Sequence, residues 1–459
     1  MSLPPRTLRH WRTQLADGHV TSRQLTEMAL DAAQYGSEAS KSFLVVHTAA
    51  ARGTADAVDA QRAAGLPLPP LAGIPLSIKD LFDEAGQVTC GGSSVLRDAA
   101  PASADSAVVR RLRAAGAVIV GRTNLVEFAY SGLGLNPHHG TPRNPWDRAI
   151  GRIPGGSSSG AAISVTDGMA AAAIGTDTGG SVRIPSALCG LAGFKPTASR
   201  VSMEGVLPLS PSLDSIGSLA WSAACCAQLD AVLSSKMPMG LRSAGLAGRR
   251  FAVPRTLVFD GADREVAAAF ERAAMRLSSA GARLVEVDVP EFEQLAAINS
   301  KGGLIAAEAW AWHERLLRER GDEYDPRVAL RIRRGASITP ADHAAVQAAR
   351  QRWIASVTQR LAGFDALLMP TVPVVAPTIA EVDASDEAYG SANLLMLRNP
   401  TLINFLDGCA LSVPCHEPGD APVGLMIAGT RGQDATVLAL GAAIEEAIGG
   451  DAASRAGDL

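Results

Sequence analysis

Two short segments rich in glycine and serine, separated by an apolar stretch, restrict the folds open to this 459-residue chain. Residues 153 to 162 read I-P-G-G-S-S-S-G-A-A, and residues 175 to 185 read G-T-D-T-G-G-S-V-R-I-P. The stretch between them, Ala161 to Ile174, is apolar and helix-forming. Because glycine permits unusual dihedral angles and close backbone approach, this pattern indicates tight turns rather than a featureless connection.

Three interpretations of the serine run differ in what they need from the flanking residues. A flexible linker needs loose, polar flanks, and the apolar stretch that begins at Ala161 does not supply them. A G-x-S-x-G nucleophile elbow would place Ser158 on a strand-to-helix turn, but Gly151 and Pro154 argue against a central strand before it. The third interpretation combines both serine-containing segments with Lys79.

Lys79 lies in an otherwise apolar segment, G-I-P-L-S-I-K-D-L-F. A serine nucleophile needs a base within hydrogen-bond reach, usually a histidine, and none of the eight histidines lies in a glycine-rich turn. Burial disfavours the charged ammonium and lowers the pKa of lysine, which suits a buried Lys79 to act as that base. The alternative is that Lys79 pairs with Asp80 or Asp83 at a strand end.

Composition and charge exclude several classes of protein. The chain is 47% hydrophobic and 19% charged, which predicts a large globular core. With a net charge of -4 and no basic cluster, it is not expected to bind nucleic acid directly. The first residues lack the apolar region of a secretory signal, and no stretch is long and apolar enough to cross a membrane, so we expect a cytoplasmic protein. The six cysteines form no C-x-x-C pair and are expected to be reduced.

Hydrophobic periodicity predicts an α/β fold. Residues 1 to 65 contain amphipathic helices, one of them with Thr21 or Ser22 as its N-cap. Residues 114 to 121, A-A-G-A-V-I-V-G, are predicted to form a buried strand after a helix, as in a mostly parallel sheet. Residues 262 to 282 have the 3.6-residue period of a helix, and an alternating strand pattern follows them.

Several segments of the chain together resemble the amidase signature family. Strong similarity covers about residues 65 to 220, with a weaker similarity near the C-terminus in L-S-V-P-C and P-V-G-L-M-I-A-G. Residues 230 to 395 match nothing specific to that family. The matching segments are G-I-P-L-S-I-K-D at 73 to 80, R-T-N-L-V-E-F-A at 122 to 129, N-P-W-D at 144 to 147, R-I-P-G-G-S-S-S-G at 152 to 160, G-T-D-T-G-G-S-V-R-I-P at 175 to 185, and G-F-K-P-T at 193 to 197.

The resemblance implies a single α/β domain over residues 1 to 459, with the amidase signature fold. Its central sheet is expected to be mixed, mostly parallel and flanked by α-helices on both faces. The expected parts are N-terminal helices at 1–65, the core at 65–220, a variable region that shapes the substrate pocket at 230–395, and the C-terminal part of the core at 400–445.

The same resemblance implies a catalytic triad. Ser181 would be the nucleophile, Ser157 a bridging serine that follows a cis peptide from Gly156, and Lys79 the base. Ser158 and Ser159 would then begin the following helix and satisfy its free N–H groups. No metal and no organic cofactor is expected. Backbone N–H groups that would stabilise the oxyanion of a tetrahedral intermediate are those of Thr178, Gly179 and Gly180.

Two further groups of residues are candidates for the substrate pocket. Ser131, with its neighbours Tyr130 and Gly132, follows the segment R-T-N-L-V-E-F-A and could line the pocket. The second group consists of Trp310, Trp312 and His313. Their helical spacing usually indicates core packing, although substrate pockets are also lined by apolar and aromatic side chains.

Arg183 and the histidine pair each allow two interpretations. Arg183 could bind a substrate carboxylate, but a structural ion pair with Asp177 or Asp214 is favoured because a buried arginine needs a partner. His138 and His139 suggest a metal site, yet no acidic ligand has helical spacing with them, and a solvated loop is favoured.

The function predicted from these residues is hydrolysis of a small-molecule amide to a carboxylate and ammonia or an amine. The principal alternative is the ammonia-releasing component of a tRNA-dependent amidotransferase, which belongs to the same family. The altered sequence around T-A-S-R-V-S-M-E-G and the divergent middle region favour the free enzyme. An inactive scaffold would require loss of a triad member, and all three are present. The resemblance also suggests a homodimer.

Overall fold

The computed structural model describes residues 2–235 and 245–449, which form one eleven-stranded sheet with helices packed against it. Residues 236–244, part of the expected variable region, and residues 450–459 lie outside the described residues. The strands are β1 Phe43–Val46, β2 Pro75–Lys79, β3 Val118–Thr123, β4 Ala172–Asp177, β5 Ala192–Lys195, β6 Ser215–Ala220, β7 Arg250–Pro254, β8 Arg283–Val287, β9 Ala366–Pro370, β10 Cys409–Pro414 and β11 Gly424–Gly429.

Sixteen α-helices connect these strands within the described ranges. They are α1 Leu8–Ala16, α2 Ser22–Tyr35, α3 Ala39–Ser42, α4 Thr48–Ala63, α5 Ala107–Ala114, α6 Ser159–Thr166, α7 Arg183–Leu188, α8 Ala223–Leu233, α9 Arg264–Ser279, α10 Glu291–Ile298, α11 Gly303–Arg320, α12 Pro326–Arg333, α13 Pro340–Arg360, α14 Ile379–Asp383, α15 Asp386–Phe405 and α16 Asp434–Ala447. Thr21 caps α2 with its side chain, as one of the two N-cap predictions proposed.

The expected α/β fold with a mixed central sheet is confirmed, but the sheet is less parallel than predicted. The strand order is β1-β3-β2-β4-β6-β5-β10-β11-β9-β7-β8. Of the ten pairings between these strands, four are parallel and six antiparallel. The reason is visible in β10 and β11, whose short connection carries no helix and therefore returns the chain as an antiparallel neighbour.

Both faces of the sheet are covered, as expected for an α/β fold. Along β10, Cys409, Leu411 and Val413 belong to one hydrophobic cluster, while Ala410 belongs to another. Because successive side chains of a strand point to opposite faces, the two clusters lie on opposite sides of the sheet. This explains why the central strands are buried along their whole length rather than alternating between buried and exposed residues.

The topology brings the carboxyl ends of three strands to one edge of the sheet. β2 pairs in parallel with both β3 and β4, so these strands end side by side at Lys79, Thr123 and Asp177. Such an edge is where ligands bind in open α/β sheets. No helix of the described ranges is long and apolar enough to span a bilayer, and no two of the six cysteines, which all lie in these ranges, form a disulfide.

Candidate active site

Lys79 is fully buried at the end of β2, and its side chain contacts two hydroxyl groups. Its Nζ lies 2.7 Å from the Oγ of Ser157 and 2.8 Å from the Oγ1 of Thr176. The alternative pairing with Asp80 is wrong, because that carboxylate forms an ion pair with Arg122 at 2.6 Å. Lys79 therefore lies among neutral hydroxyl groups, in position to exchange a proton with Ser157.

Burial changes the proton affinity of this lysine. Desolvation lowers the pKa of Lys79 to about 7, and the nearby carboxylates of Asp177 and Asp214 oppose that change. A lysine with such a pKa is substantially uncharged at neutral pH, whereas an exposed lysine is almost entirely protonated. The amine is therefore suited to accept a proton from a neighbouring hydroxyl group.

The serine run forms a tight turn that leads directly into α6. The peptide bond between Gly156 and Ser157 is cis, as the family resemblance implied. The N–H of Ser158 donates to the carbonyl oxygen of Ser181 at 3.3 Å, which ties the two serine-containing segments together. No strand precedes Ser158 within residues 124–157, so the nucleophile-elbow interpretation is wrong.

The start of α6 differs in one detail from the prediction. Ser158 and Ser159 do begin the helix, with Ser158 at the N-cap position, but the Ser158 side chain makes no capping hydrogen bond. Its hydroxyl donates instead to the carbonyl oxygen of Thr176 at 3.4 Å. The side chain therefore connects the turn to β4 rather than satisfying the helix terminus.

The turn from Thr178 to Gly180 carries Ser181, and its main chain corrects one expectation. The N–H of Gly180 donates to the Oδ1 of Asp177 at 2.9 Å and is not free to bind an oxyanion. Within the described chain, the N–H groups of Thr178, Gly179 and Ser181 donate no hydrogen bond. These three groups are the N–H donors that remain available beside the expected nucleophile.

Glycine is required at position 180 for steric reasons. Its φ is +130°, a conformation that residues with a side chain rarely adopt. A Cβ atom there would also lie 2.6 Å from the Cβ of Pro400 on α15. The turn can therefore pack against α15 only because position 180 lacks a side chain.

Arg183 forms the structural ion pair that the sequence favoured, and its partner is Asp177. Both residues are fully buried, with the Nη2 of Arg183 2.9 Å from Oδ1 and Nε 3.0 Å from Oδ2 of Asp177. Asn404 on α15 donates to the same carboxylate at 2.9 Å. Although burial alone would raise the pKa of Asp177, the charge and hydrogen bonds of Arg183 hold it below its usual range. This network fixes the turn that precedes Ser181.

Asp214, the other candidate partner of Arg183, binds the turn instead. Its Oδ1 accepts a hydrogen bond of 2.5 Å from the hydroxyl of Thr178, and its Oδ2 accepts from the N–H groups of Leu209 and Ser210. Burial raises the pKa of Asp214 to about 6. Asp214 therefore holds the turn through the hydroxyl of Thr178.

Ser131 is buried, and its hydroxyl is engaged within the protein. It donates to the Oδ1 of Asn393 at 2.9 Å, and the N–H of Gly132 donates to the same oxygen at 2.8 Å. The carbonyl oxygen of Gly132 in turn accepts from the N–H of Gly156 at 2.8 Å. Sequence reasoning missed Asn393 because it lies in the region where no family motif was recognised, and no local signal marks it.

The histidine pair is not the solvated loop that the sequence favoured. His138 is half-buried, and its Nε2 lies 2.8 Å from the Oε1 of the buried Glu127. This hydrogen bond raises the pKa of His138. No group of side chains in the described ranges has the composition of a metal site.

The aromatic residues of α11 divide between core and surface. His313 is fully buried, with its Nδ1 3.0 Å from the hydroxyl of Tyr324 and its ring 4.4 Å from the ring of Phe128. Trp312 is 37% exposed. The packing interpretation therefore holds for His313.

The chain is similar to known proteins over most of its length. Residues 24–438 match the model of the Amidase family. The chain is 37% identical over 407 residues to 2-amino-5-chloromuconic acid deaminase of Comamonas testosteroni, and the match covers 87% of each chain. It is 33% identical over 467 residues to a component of the glutamyl-tRNA(Gln) amidotransferase of Chloroflexus aggregans, and that match covers 94% of each.

A solved structure described as an amidase superposes on 96% of this chain and 99% of its own, with a TM-score of 0.87 and 33% identity. The family match, the sequence relatives and the structural likeness each extend over most of the chain. They cover the serine-containing turns and Lys79 as well as the middle region without recognisable motifs. The chain therefore belongs to the amidase family and is a hydrolase acting on carbon–nitrogen bonds.

Proposed function

We propose that this amidase hydrolyses a small-molecule carboxamide through a seryl acyl-enzyme, with Ser181 as nucleophile, Ser157 as proton relay and Lys79 as base. The observation that carries this proposal is the 2.7 Å contact between the buried Nζ of Lys79 and the Oγ of Ser157. A neutral amine at that distance can accept the hydroxyl proton. The hydrogen bond from the N–H of Ser158 to the carbonyl oxygen of Ser181 holds the two serine-containing turns side by side, as a relay from Ser181 to Ser157 requires.

In the first half-reaction, the Oγ of Ser181 attacks the carbonyl carbon of the amide. Its proton moves to Ser157 while the Ser157 proton moves to Lys79. The resulting oxyanion lies beside the turn, where the free N–H groups of Thr178 and Gly179 can stabilise it. When the carbon–nitrogen bond breaks, Lys79 returns the proton through Ser157 to the departing amine or ammonia.

In the second half-reaction, water attacks the ester formed on Ser181. The same relay takes a proton from that water molecule and returns it to the Oγ of Ser181 when the ester bond breaks. The products are the free enzyme and a carboxylate. Each step uses only protonation states available near neutral pH, because the pKa of Lys79 is about 7.

The test is ammonia release from primary amides by matched serine variants. Ser181→Ala and Ser157→Ala are expected to reduce kcat on the order of 10⁴-fold or more while the fold is kept, because relay members act as a unit. Ser159→Ala is the control, since Ser159 is equally buried at the start of α6 but lies outside the proposed relay. Mass spectrometry of the wild-type protein mixed with a slow amide should show the acyl group on the peptide containing Ser181. Wild-type rates in Ser181→Ala would refute the proposal.

Purification distinguishes the free enzyme from the amidotransferase component that the second relative represents. We propose that the protein is cytoplasmic and acts alone or as a homodimer on a small molecule, without direct contact to nucleic acid or membrane. An active homo-oligomer on a sizing column supports this. Activity that appears only together with a copurifying tRNA-binding protein would assign the chain to the amidotransferase role.

A further inference from the structure

A large apolar cavity adjoins the turn that carries Ser181. It has a volume of about 590 Å³ and lies between α10, the beginning of α11 and α15. This volume is within the range of about 300 to 1,000 Å³ that small-molecule sites typically have. Its walls are mainly large apolar side chains, among them Phe292, Leu295, Leu304, Ile305, Leu402 and Phe405.

Three lining residues join this cavity to the catalytic turn. Thr401 lines the cavity and donates its hydroxyl to the carbonyl oxygen of Gly179 at 3.3 Å. Leu397, one helical turn earlier, lies 3.5 Å from where a Cβ of Gly179 would be. Leu213 also lines the wall, next to the Asp214 that holds Thr178. A group bound in the cavity would therefore be directly beside the proposed oxyanion donors.

We propose that this cavity binds the acyl part of the substrate and makes the enzyme selective for amides of uncharged, apolar carboxylic acids. The inference rests on the proposed function, because it assigns the cavity to the amide that Ser181 attacks. Burying an apolar acyl group against these walls contributes transfer free energy that a small amide such as acetamide cannot gain. The value of kcat/KM therefore increases with the length of the acyl chain.

The charged residues of the cavity disfavour an acyl group that ends in a carboxylate. Glu293 lines the cavity and would repel an anion. The only lining cation among the described residues, Arg398, is directed elsewhere, because its Nη1 donates to the carbonyl oxygen of Asp260 at 2.6 Å and its Nη2 to that of Val258 at 3.2 Å. The cavity therefore offers no unengaged positive charge among its described lining residues that could bind a substrate carboxylate.

The first experiment measures kcat/KM by ammonia release for unbranched primary amides from acetamide to octanamide. The leaving group is ammonia throughout, so only the acyl group changes. Each added methylene should raise kcat/KM about fourfold until the cavity is full. The monoamide of octanedioic acid has the same number of carbons, with a carboxylate in place of the terminal methyl group, and its kcat/KM should be at least about tenfold lower than that of octanamide.

The second experiment uses two neighbouring positions on α10. Ala296 lines the cavity and Ala297 does not, and both are exposed, so a large side chain at either should leave folding intact. Ala296→Phe should reduce kcat/KM for octanamide about tenfold or more, because the ring occupies the space of the chain. Ala297→Phe should leave kcat/KM for octanamide unchanged.

The outcomes separate this inference from the function on which it rests. Hydrolysis of acetamide and octanamide at equal kcat/KM would overturn the inference and leave the proposed function intact. Preference for the carboxylate-terminated monoamide, or equal effects of Ala296→Phe and Ala297→Phe, would overturn it in the same way. Failure to hydrolyse any amide of the series would refute the proposed function and this inference with it.

Discussion

The rate of amide hydrolysis should follow the deprotonation of Lys79. The proposed relay needs an uncharged amine at this position, because an ammonium group has no lone pair to accept the proton of Ser157. Burial lowers the pKa of Lys79 from 10.5 to about 7. We therefore expect kcat/KM to rise with pH, to reach half of its maximum near pH 7, and to be constant above about pH 8.

The magnitude follows from the fraction of uncharged amine. With a pKa of about 7, roughly half of the Lys79 side chains are uncharged at pH 7, about one in eleven at pH 6, and about one in a hundred at pH 5. With the ordinary value of 10.5, only about one in 3,000 would be uncharged at pH 7. Burial of this one side chain therefore accounts for a factor on the order of 10³ in the active fraction at neutral pH.

Two assays are needed, because Asp80 and Asp214 also titrate near pH 6 and could shape the acidic limb of an activity profile. The first is kcat/KM from about pH 5 to about pH 9. The second is a ¹³C NMR titration of the lysine side chains, with Lys79→Met identifying the signal of Lys79. A Lys79 signal that titrates near 10, or an activity profile flat from pH 5 to pH 9, would refute the reasoning.

The same displaced pKa predicts a pH dependence of stability. Between pH 7 and 10.5 the unfolded chain binds a proton at Lys79 that the native protein does not. The free energy of unfolding should therefore rise with pH in this window, by at most about 1.4 kcal/mol per pH unit from this group. Comparison of urea denaturation for the wild type and Lys79→Met isolates the contribution, since the variant should lack it. Identical slopes in both proteins would contradict the assignment.

Substitutions at three further positions test the framework around the two serine-containing turns. Asp177→Ala should lower the free energy of unfolding by about 3 to 5 kcal/mol in urea denaturation, because it leaves Arg183 buried without its counter-charge; an unchanged midpoint would contradict this. Gly180→Ala should lower the free energy of unfolding by about 1 to 3 kcal/mol and abolish ammonia release. The added methyl group would clash with Pro400, and alanine rarely adopts the positive φ of this position. Asn393→Ala should reduce kcat more than it changes KM, with partial recovery in Asn393→Asp, which keeps an acceptor oxygen. Equal kcat in the wild type and both Asn393 variants would exclude a positioning role.

Local sequence patterns predicted the parts of the fold and site that depend on local chemistry. The glycine and serine turns, the apolar segment around Lys79 and the cap at Thr21 are each written in a few adjacent residues. The burial of Lys79 followed from its apolar neighbours, because a strand in the middle of a parallel region is covered on both faces. The parallel share of the sheet was overestimated because strand direction depends on how distant segments pair.

Contacts between distant segments could not be predicted from one sequence. Ser131 and Asn393 are separated by 262 positions, and Asp177 and Asn404 by 227. The expectation for the Gly180 N–H failed for a related reason. Whether that N–H faces a ligand or the carboxylate of Asp177 depends on how Arg183 orients the carboxylate, and motif spacing does not contain that information.

Helix α15 unites the proposed substrate cavity and the catalytic turns in one element. Asn393, Leu397 and Thr401 follow one another at intervals of four residues, so they lie on one face of the helix. Asn393 holds the loop that contacts Gly156, and the other two line the cavity. Thr401 donates to the carbonyl oxygen of Gly179, and Leu397 lies 3.5 Å from where a Cβ of Gly179 would be. A displacement of α15 along its axis would therefore move the loop before Ser157, the turn before Ser181 and the cavity wall together. An acyl group packed against α15 would therefore influence the alignment of the serines as well as the affinity for the substrate. Longer acyl chains are expected to raise kcat in addition to lowering KM.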